Sequence, residues 1–460
     1  MRILLISVNR EASPYPVAPL GLAYVAGAAC QDGHTVSLVD LCFSTDPGAT
    51  IAAAVAQARP DLIGISIRNI DNLTFPASAS YLAEIASAVA SIRAVSATPL
   101  VAGGPGFSIF PERLLAFFDL DYGVVGEGEE IFRLLAADLE AGRPVGRLAG
   151  LLRRGDPPGA ATPAPPGPNG HRVPARDLLD NRAYLERGGM ANLQTKRGCP
   201  FACAYCTYPH ISGTRVRLRP PGEVAEELAG MTAHGLDEIF FVDDVFNWPP
   251  EHALAVCDAI QARGLRLRWT CFASPAGMSP TLASAMKRAG CRGVEFGADS
   301  ASPSMLRALA KPFPQEELRA AAAACRAVDL PAAYYLIFGG PGETAETIAE
   351  TAAVLDELEP HAVLAFLGIR VYPGTPLHRV ALQDGVVEPT DDLLAPRFYI
   401  SPLLGAEGLQ ALLQRHAERR PAWVVPGLGI RFDPTLLAAL RRSGRRGPLW
   451  DLLPRGSAGC

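Results

Sequence analysis

The chain has 460 residues, a formal net charge of −5 and 49% hydrophobic residues. That length calls for two or three domains, and the weak negative charge gives no sign of a nucleic-acid surface. No apolar run approaches the ~18–20 residues that span a bilayer, and the first residues read as a strand rather than a secretion signal. Of ten cysteines only Cys199, Cys203 and Cys206 cluster, while Cys30, Cys42, Cys257, Cys271, Cys291, Cys325 and Cys460 scatter singly. This usage predicts a reducing, cytoplasmic compartment and one metal site rather than disulfides.

Residues 1–142 alternate short apolar runs with helical ones. Strands are expected at 2–8, 35–40, 62–67, 99–102 and 122–125, with helices at 20–32, 50–58, 81–94 and from Glu129 onward. The pattern is α/β, a Rossmann-like doubly wound sheet whose ligands lie beyond the carboxyl ends of the strands. Residues 155–174 hold seven prolines and four glycines, which marks 143–190 as a linker. From 191 the alternation resumes, with strands at 192–196, 238–242, 266–272, 293–297, 332–338 and 363–371. Helices at 222–234, 250–263, 280–289, 315–328 and 345–358 separate them. Six such units predict a partial (β/α)6 barrel over 191–378, its catalytic groups at the carboxyl ends of the strands. Residues 379–460 form a small C-terminal appendage, the expected substrate cap. There Arg441, Arg442, Arg445 and Arg446 read as a solvated helix end or a contact for an anionic substrate.

Residues 196–206 read KRGCPFACAYC. Three thiolates within eight residues ligate three corners of one cube-shaped iron–sulfur cluster and leave the fourth iron open. An open iron chelates the amino and carboxylate groups of S-adenosylmethionine and passes an electron to its sulfonium. A zinc knuckle would need a fourth ligand, for which His210 is the nearest candidate. The CxxxCxxC spacing, with Tyr205 before its third cysteine and a strand before the motif, resembles the radical S-adenosylmethionine superfamily. That resemblance implies a [4Fe–4S] cluster on Cys199, Cys203 and Cys206. It also implies S-adenosylmethionine contacts from Tyr205, from Asp243 and Asp244, from Glu295, Asp299 and Ser300, and from Gly339 and Gly340. Asp299 stands where the family pattern has glutamate. Read without the resemblance, the aspartate pair caps a helix and the glycines make a tight turn.

In the first domain PLGLAYVA, GHTV, GIS, GGP and VGEGE occur in an order that resembles the cobalamin-binding domain of cobalamin-dependent radical S-adenosylmethionine enzymes. The likeness covers 1–142 and 192–376. It implies cobalamin contacts from Leu20, Gly21, Ser66, Arg68, Asn69, Gly103, Gly104, Gly126, Glu127 and Gly128. The D-x-H-x-x-G element is absent, so no imidazole is expected beneath cobalt. Arg68 is expected to approach the metal without ligating it, since a guanidinium does not shed its proton; the competing reading pairs it with Asp71 or with a corrin amide. The implied activity is methylation of an unactivated carbon or phosphorus centre of a small molecule, by 5′-deoxyadenosyl radical hydrogen abstraction and methyl transfer from methylcobalamin. No catalytic residue beyond the cluster ligands is assigned. An external electron donor such as flavodoxin or ferredoxin is implied, with no nucleic-acid or membrane partner. The alternatives are ring contraction, cyclisation or rearrangement with the same cofactors, and a non-catalytic cobalamin or redox sensor.

Overall fold

The computed structural model describes residues 1–162 and 173–452; Cys460 and residues 163–172 of the expected linker lie outside the described residues. The apolar run of β1 (Arg2–Ser7) is buried on both faces, as the middle of a parallel sheet requires. The chain then forms α1 (Leu20–Gln31), β2 (Thr35–Asp40), α2 (Pro47–Ala58), β3 (Leu62–Ser66), α3 (Leu82–Val95) and β4 (Leu100–Gly103). The short α4 (Pro105–Ile109) and α5 (Pro111–Phe117) follow, then β5 (Tyr122–Val124), α6 (Gly128–Glu140) and β6 (Leu151–Arg153). Strand order is β2-β1-β3-β4-β5-β6, parallel except for β6. Winding reverses between β1 and β3, so a crevice opens past their carboxyl ends, lined by the loops that leave those two strands. β6 pairs with β5 from inside the expected linker. Three residues carry no periodicity by which a sequence reading would find it.

After α7 (Asn181–Glu186) come β7 (Ala191–Leu193), β8 (Lys196–Arg197), α8 (Tyr208–Ser212), β9 (Arg217–Leu218), α9 (Pro221–Ala233), β10 (Glu238–Phe241), α10 (Pro250–Ala262) and β11 (Arg268–Ala273). Next are α11 (Pro280–Arg288), β12 (Cys291–Asp299), α12 (Pro303–Ala308), α13 (Gln315–Arg326), β13 (Ala332–Phe338), α14 (Ala345–Leu358) and β14 (Ala362–Leu367). The last are β15 (Ile369–Arg370), α15 (Pro376–Gln383), β16 (Phe398–Tyr399), α16 (Gly405–Glu418), β17 (Trp423–Val424) and α17 (Pro434–Arg442). Seven parallel strands form the barrel wall in the order β7-β10-β11-β12-β13-β14-β17.

The seventh strand is one more than the six units expected, and it comes from the region read as an appendage. Residues 379–452 are built into the barrel. α16 buries Leu409, Leu413 and Ala417 in the main core, and Trp423 joins them. Trp450 closes the floor of the sheet, where its ring would collide with a Cβ on Gly293 at 2.3 Å.

The two domains share a core. Ile67, Ile70 and Phe110 of the first pack in one cluster with Leu309, Ile369, Val371 and Leu377 of the second. Polar locks flank it. Arg370 donates from Nε to Asp71 at 3.0 Å, with both side chains buried, and also to the carbonyls of Val371 and Leu393. Asp71→Ala leaves that guanidinium charge buried without its anion. The expected cost is about 3 kcal/mol, read as a lower urea midpoint by circular dichroism.

Candidate functional site

The cysteine loop leaves β8 through Gly198, whose φ is +89° and whose Cβ would lie 2.3 Å from the Arg215 carbonyl, so only glycine fits. Backbone bonds fasten the loop to the body: Cys199 N–H to Gly213 O, Ala204 N–H to Leu309 O, and Leu377 N–H to Ala204 O. Burial pushes the thiols up, Cys199 to about 11 and Cys206 to about 12, and charge on neighbouring cysteines adds to the effect. Ligation would take off the proton that burial otherwise keeps on each sulfur. Among the described residues, no group of three or more His, Cys, Asp or Glu side chains is gathered as ligands of a single ion. A cube-shaped cluster differs in placing its thiolates on separate irons.

The aspartate pair divides its labour. Asp243 is buried and accepts from Thr195 N (2.7 Å), Thr195 Oγ1 (2.5 Å), Lys196 N (3.2 Å) and Lys196 Nζ (3.0 Å). Its lone pairs are spent on the strand that carries the loop, so it positions that loop. Asp244 turns the other way. Its Oδ2 is buried without a partner, and burial, with Asp243 beside it, pushes its carboxyl up to about 7.

On β12 a register shift between Gly297 and Asp299 ends the strand with Asp299 at a φ of +61°. Asp299 accepts from the Tyr205 hydroxyl and from Lys311 Nζ, the latter at 2.5 Å. Three side chains thus form a charged chain across the rim, and Lys311 faces Cys203 electrostatically. The buried Asp244 oxygen, the three thiols and this ammonium are a donor set that suits an anionic cluster with a zwitterionic ligand.

The other expected S-adenosylmethionine contacts fare differently. Ser300 is buried against Thr351 Oγ1 at 2.9 Å, where it braces the turn before α12 and faces no open site. Glu295 lies four residues below the strand end, tied to Trp450 Nε1 at 2.9 Å on the barrel floor. It is not brought to the cysteine loop. The amides of Gly339 and Gly340 both donate to Glu343, which burial pushes up to about 7. Gly339 has a φ of +99°, a conformation that L side chains rarely adopt, so the turn opens on glycine for its backbone.

In the first domain Arg68 Nη1 and Asn69 Oδ1 are buried without partners, at the carboxyl end of β3. They border one cavity with Asn9, Arg10, Tyr81 and Glu84. Asp71 is bonded to Arg370, so it is not the partner of Arg68. Ser66 and Gly103 end neighbouring strands beside this cavity and are half-buried. Leu20 and Gly21 open α1, Leu20 buried and Gly21 exposed with nothing within 4 Å of a Cβ. Glu127 is paired with Arg217 and Arg197 of the second domain and locks the two domains together. Gly104 is required because a Cβ there would meet the Ile67 carbonyl at 2.7 Å, and Gly128 because α6 packs on Val25. Gly126, with φ of +86°, donates its N–H to Ser108 Oγ at 3.0 Å. Lys311 escaped the sequence reading, since it lies in no recognisable pattern with its partners.

Residues 193–355 match the family model of the radical SAM superfamily, and residues 6–136 that of the B12 binding domain. An uncharacterized methyltransferase of Pyrococcus horikoshii is 30% identical over 400 residues, which cover 84% of each chain. The tryptophan 2-C-methyltransferase of Streptomyces laurentii is 27% identical over 424 residues, 78% of this chain and 71% of its own. The structure of the radical S-adenosylmethionine methyltransferase TsrM from Kitasatospora setae, with cobalamin and a [4Fe–4S] cluster bound, is similar at a TM-score of 0.85. It is 26% identical and covers 98% of this chain and 96% of its own.

Glu343 yields a test of the turn. Its carboxyl binds a proton more tightly folded than unfolded, so the stability it contributes is complete below pH 4.5 and is lost as pH rises toward 7. Glu343→Gln keeps an acceptor for both amides but cannot ionise. Thermal melts across this window should show a fall in stability smaller by about 2 kcal/mol in the variant.

Proposed function

The chain belongs to the cobalamin-dependent radical S-adenosylmethionine enzymes, and from that premise we propose that it transfers a methyl group to an unactivated carbon or phosphorus centre of a small molecule. The enzyme uses a [4Fe–4S] cluster, S-adenosylmethionine and cobalamin. One observation carries the reading: the three-cysteine loop and the crevice at β1 and β3 lie on two domains that share a continuous core. Cys199, Cys203 and Cys206 would hold the cluster. Tyr205, Asp244, Asp299 and the turn at Gly339 and Gly340 would border S-adenosylmethionine. Ser66, Arg68, Asn69, Gly103 and Gly126 would border the corrinoid, with Leu20 and Gly21 at its edge. Bound there, these groups supply one-electron cleavage of a sulfonium and a methyl group carried on cobalt.

The protein's own part is orientation and charge. Asp243 and Lys196 fix the strand that presents the loop, and the Tyr205–Asp299–Lys311 chain fixes its rim. Rigid presentation of this kind converts encounter into reaction. The guanidinium of Arg68 offers no lone pair, so a metal facing it would gain no ligand from it. The cluster needs electrons from outside, for which a flavodoxin or ferredoxin is the fitting donor. The scattered single thiols suit a reducing cytoplasm.

Anaerobically reconstituted protein should carry about four irons and near-stoichiometric corrinoid. Replacing Cys199, Cys203 and Cys206 together with alanine should remove the iron and the reductive cleavage of S-adenosylmethionine while leaving corrinoid bound. Iron retained in that variant would refute the cluster assignment. Electron paramagnetic resonance of the Co(II) form should lack nitrogen superhyperfine splitting from below, and Arg68→His should introduce it. Splitting in the unmodified protein would remove Arg68 from its assigned place.

A further inference from the structure

The four arginines near the end of the chain do not share one environment. Arg441 and Arg442 close α17, the first 5% exposed and the second open to solvent. The chain then turns at Gly444 and Gly447, with φ of +87° and +99°, and runs on to Trp450 at the barrel floor. Over this turn lies a cavity of about 410 Å³, lined by Arg268, Arg292, Gly444, Arg445, Arg446 and Asp451. A Cβ on Gly444 would meet nothing within 4 Å, so the turn itself borders open space. Arg268 begins β11, and Arg292 is the second residue of β12. The cavity therefore sits at the amino end of the barrel, whereas the cysteine loop sits at its carboxyl end.

Charge in the cavity does not balance. Glu238, at the start of β10 and fully buried, receives Arg268 at 2.7 Å and Arg292 at 3.1 Å, and Asp451 receives Arg292 at 2.6 Å. Two of the guanidiniums thereby consume both carboxylates. Arg445 and Arg446 have no carboxylate partner among the described residues. Arg441 donates from Nη1 to the Arg445 carbonyl at 3.5 Å, and its Nε and Nη2 are buried without partners. It lies within electrostatic reach of Asp451 and Glu238, so its charge adds to the same side. A cleft lined by one sign of charge concentrates counter-ions, and like charges held this close repel until an anion joins them.

We propose that this cavity binds a diphosphate group, free or esterified, on the Arg445 and Arg446 guanidiniums, with Arg268 and Arg292 at its edge. The planar fork of arginine matches a pair of phosphate oxygens. Positive charge shared among several forks favours two linked phosphates over one. The volume agrees, since small-molecule sites occupy roughly 300–1,000 Å³ and a lone orthophosphate would leave most of that space empty. The site is separate from the one that takes the methylated molecule, because it lies at the other end of the barrel from the cysteine loop. Its wall is the segment that carries Trp450, whose Nε1 reaches Glu295 at 2.9 Å, so an occupant fastens the barrel floor.

Isothermal titration calorimetry on the full-length anaerobic holoenzyme tests this with pyrophosphate, ADP and orthophosphate at physiological salt. S-adenosylmethionine is kept saturating at its own site, without reductant, so that ADP does not enter there. One pyrophosphate or ADP should bind per chain, about tenfold tighter than orthophosphate or better. Tighter ADP would mark the ligand as a diphosphate ester and tighter pyrophosphate as the free anion, and either supports the site. Replacing Arg445 and Arg446 together with alanine should weaken diphosphate binding about tenfold or more. S-adenosylmethionine should still bind to that variant, which reports an intact fold. Arg442→Ala removes a charge from outside the cavity and should leave diphosphate affinity unchanged. Absence of diphosphate binding, binding undiminished in the double variant, or an equal loss on Arg442→Ala would overturn the assignment.

Discussion

Lys196 and Arg197 form a two-residue strand, and the alternation of a strand sends their side chains to opposite sides. Lys196 goes into the barrel, where its ammonium meets Asp243 at 3.0 Å and the Phe246 carbonyl at 2.7 Å. Arg197 goes to the other domain, pairing with Glu129 at 2.5 Å and Glu127 at 3.3 Å, its guanidinium 4.8 Å over the ring of Tyr24. The next residue is Gly198, and then comes the first cysteine. The cysteine loop is thus hung from a strand gripped by both domains, so its position depends on how they dock. Every other part of the site is arranged against that fixed point.

The same constraint accounts for the contrast between two adjacent carboxylates. Asp243 lies where four donors converge, and the low local dielectric strengthens each of those bonds. Asp244 lies one residue further, past the end of β10, within electrostatic reach of Cys199 and Cys206 and with its Oδ2 unpartnered. Burial raises its carboxyl, and the neighbouring Asp243 adds to the rise. Raised to about 7, the Asp244 carboxyl can hold a proton or accept a positive group, whereas the Asp243 lone pairs are already taken by four donors.

Much of the fold was legible in the sequence because its elements are long and apolar. The five parallel strands of the first domain and the strand–helix alternation of the second carry their own periodicity, and CxxxCxxC is local. What was illegible is relational. DD reads as a pair, yet only the third dimension separates a structural aspartate from one facing the thiols. Ser300 and Glu295 lie in one short stretch with Asp299, and the bulge before Asp299 sends the three to different surroundings. β17 is two residues long, and its identity as a barrel strand comes from Val363 and Leu364, far back in the chain. One cue was available and unused. The chain has only three lysines, Lys196, Lys287 and Lys311, among 42 basic residues. Two of them are buried beside the cysteine loop, with side chains 3% and 6% exposed. A chain that uses arginine nearly everywhere retains lysine where a compact point charge fits and a guanidinium fork does not.

The charged residues of the first domain follow a similar division. Glu127 and Asp71 both belong to loops at the cofactor end of the sheet, and both are consumed by arginines of the barrel. Docking the domains therefore removes negative charge from the crevice and leaves Arg68 there, buried at Nη1, with no carboxylate of its own. An isolated domain would offer Asp71 to Arg68 three residues away, and the arginine would be neutralised by a local pair. Because Arg370 donates into the interface from a rigid strand and is also held by two carbonyls, it competes for Asp71 with its geometry already fixed. The unpartnered Arg68 nitrogen at the crevice is thus tied to how the two domains dock.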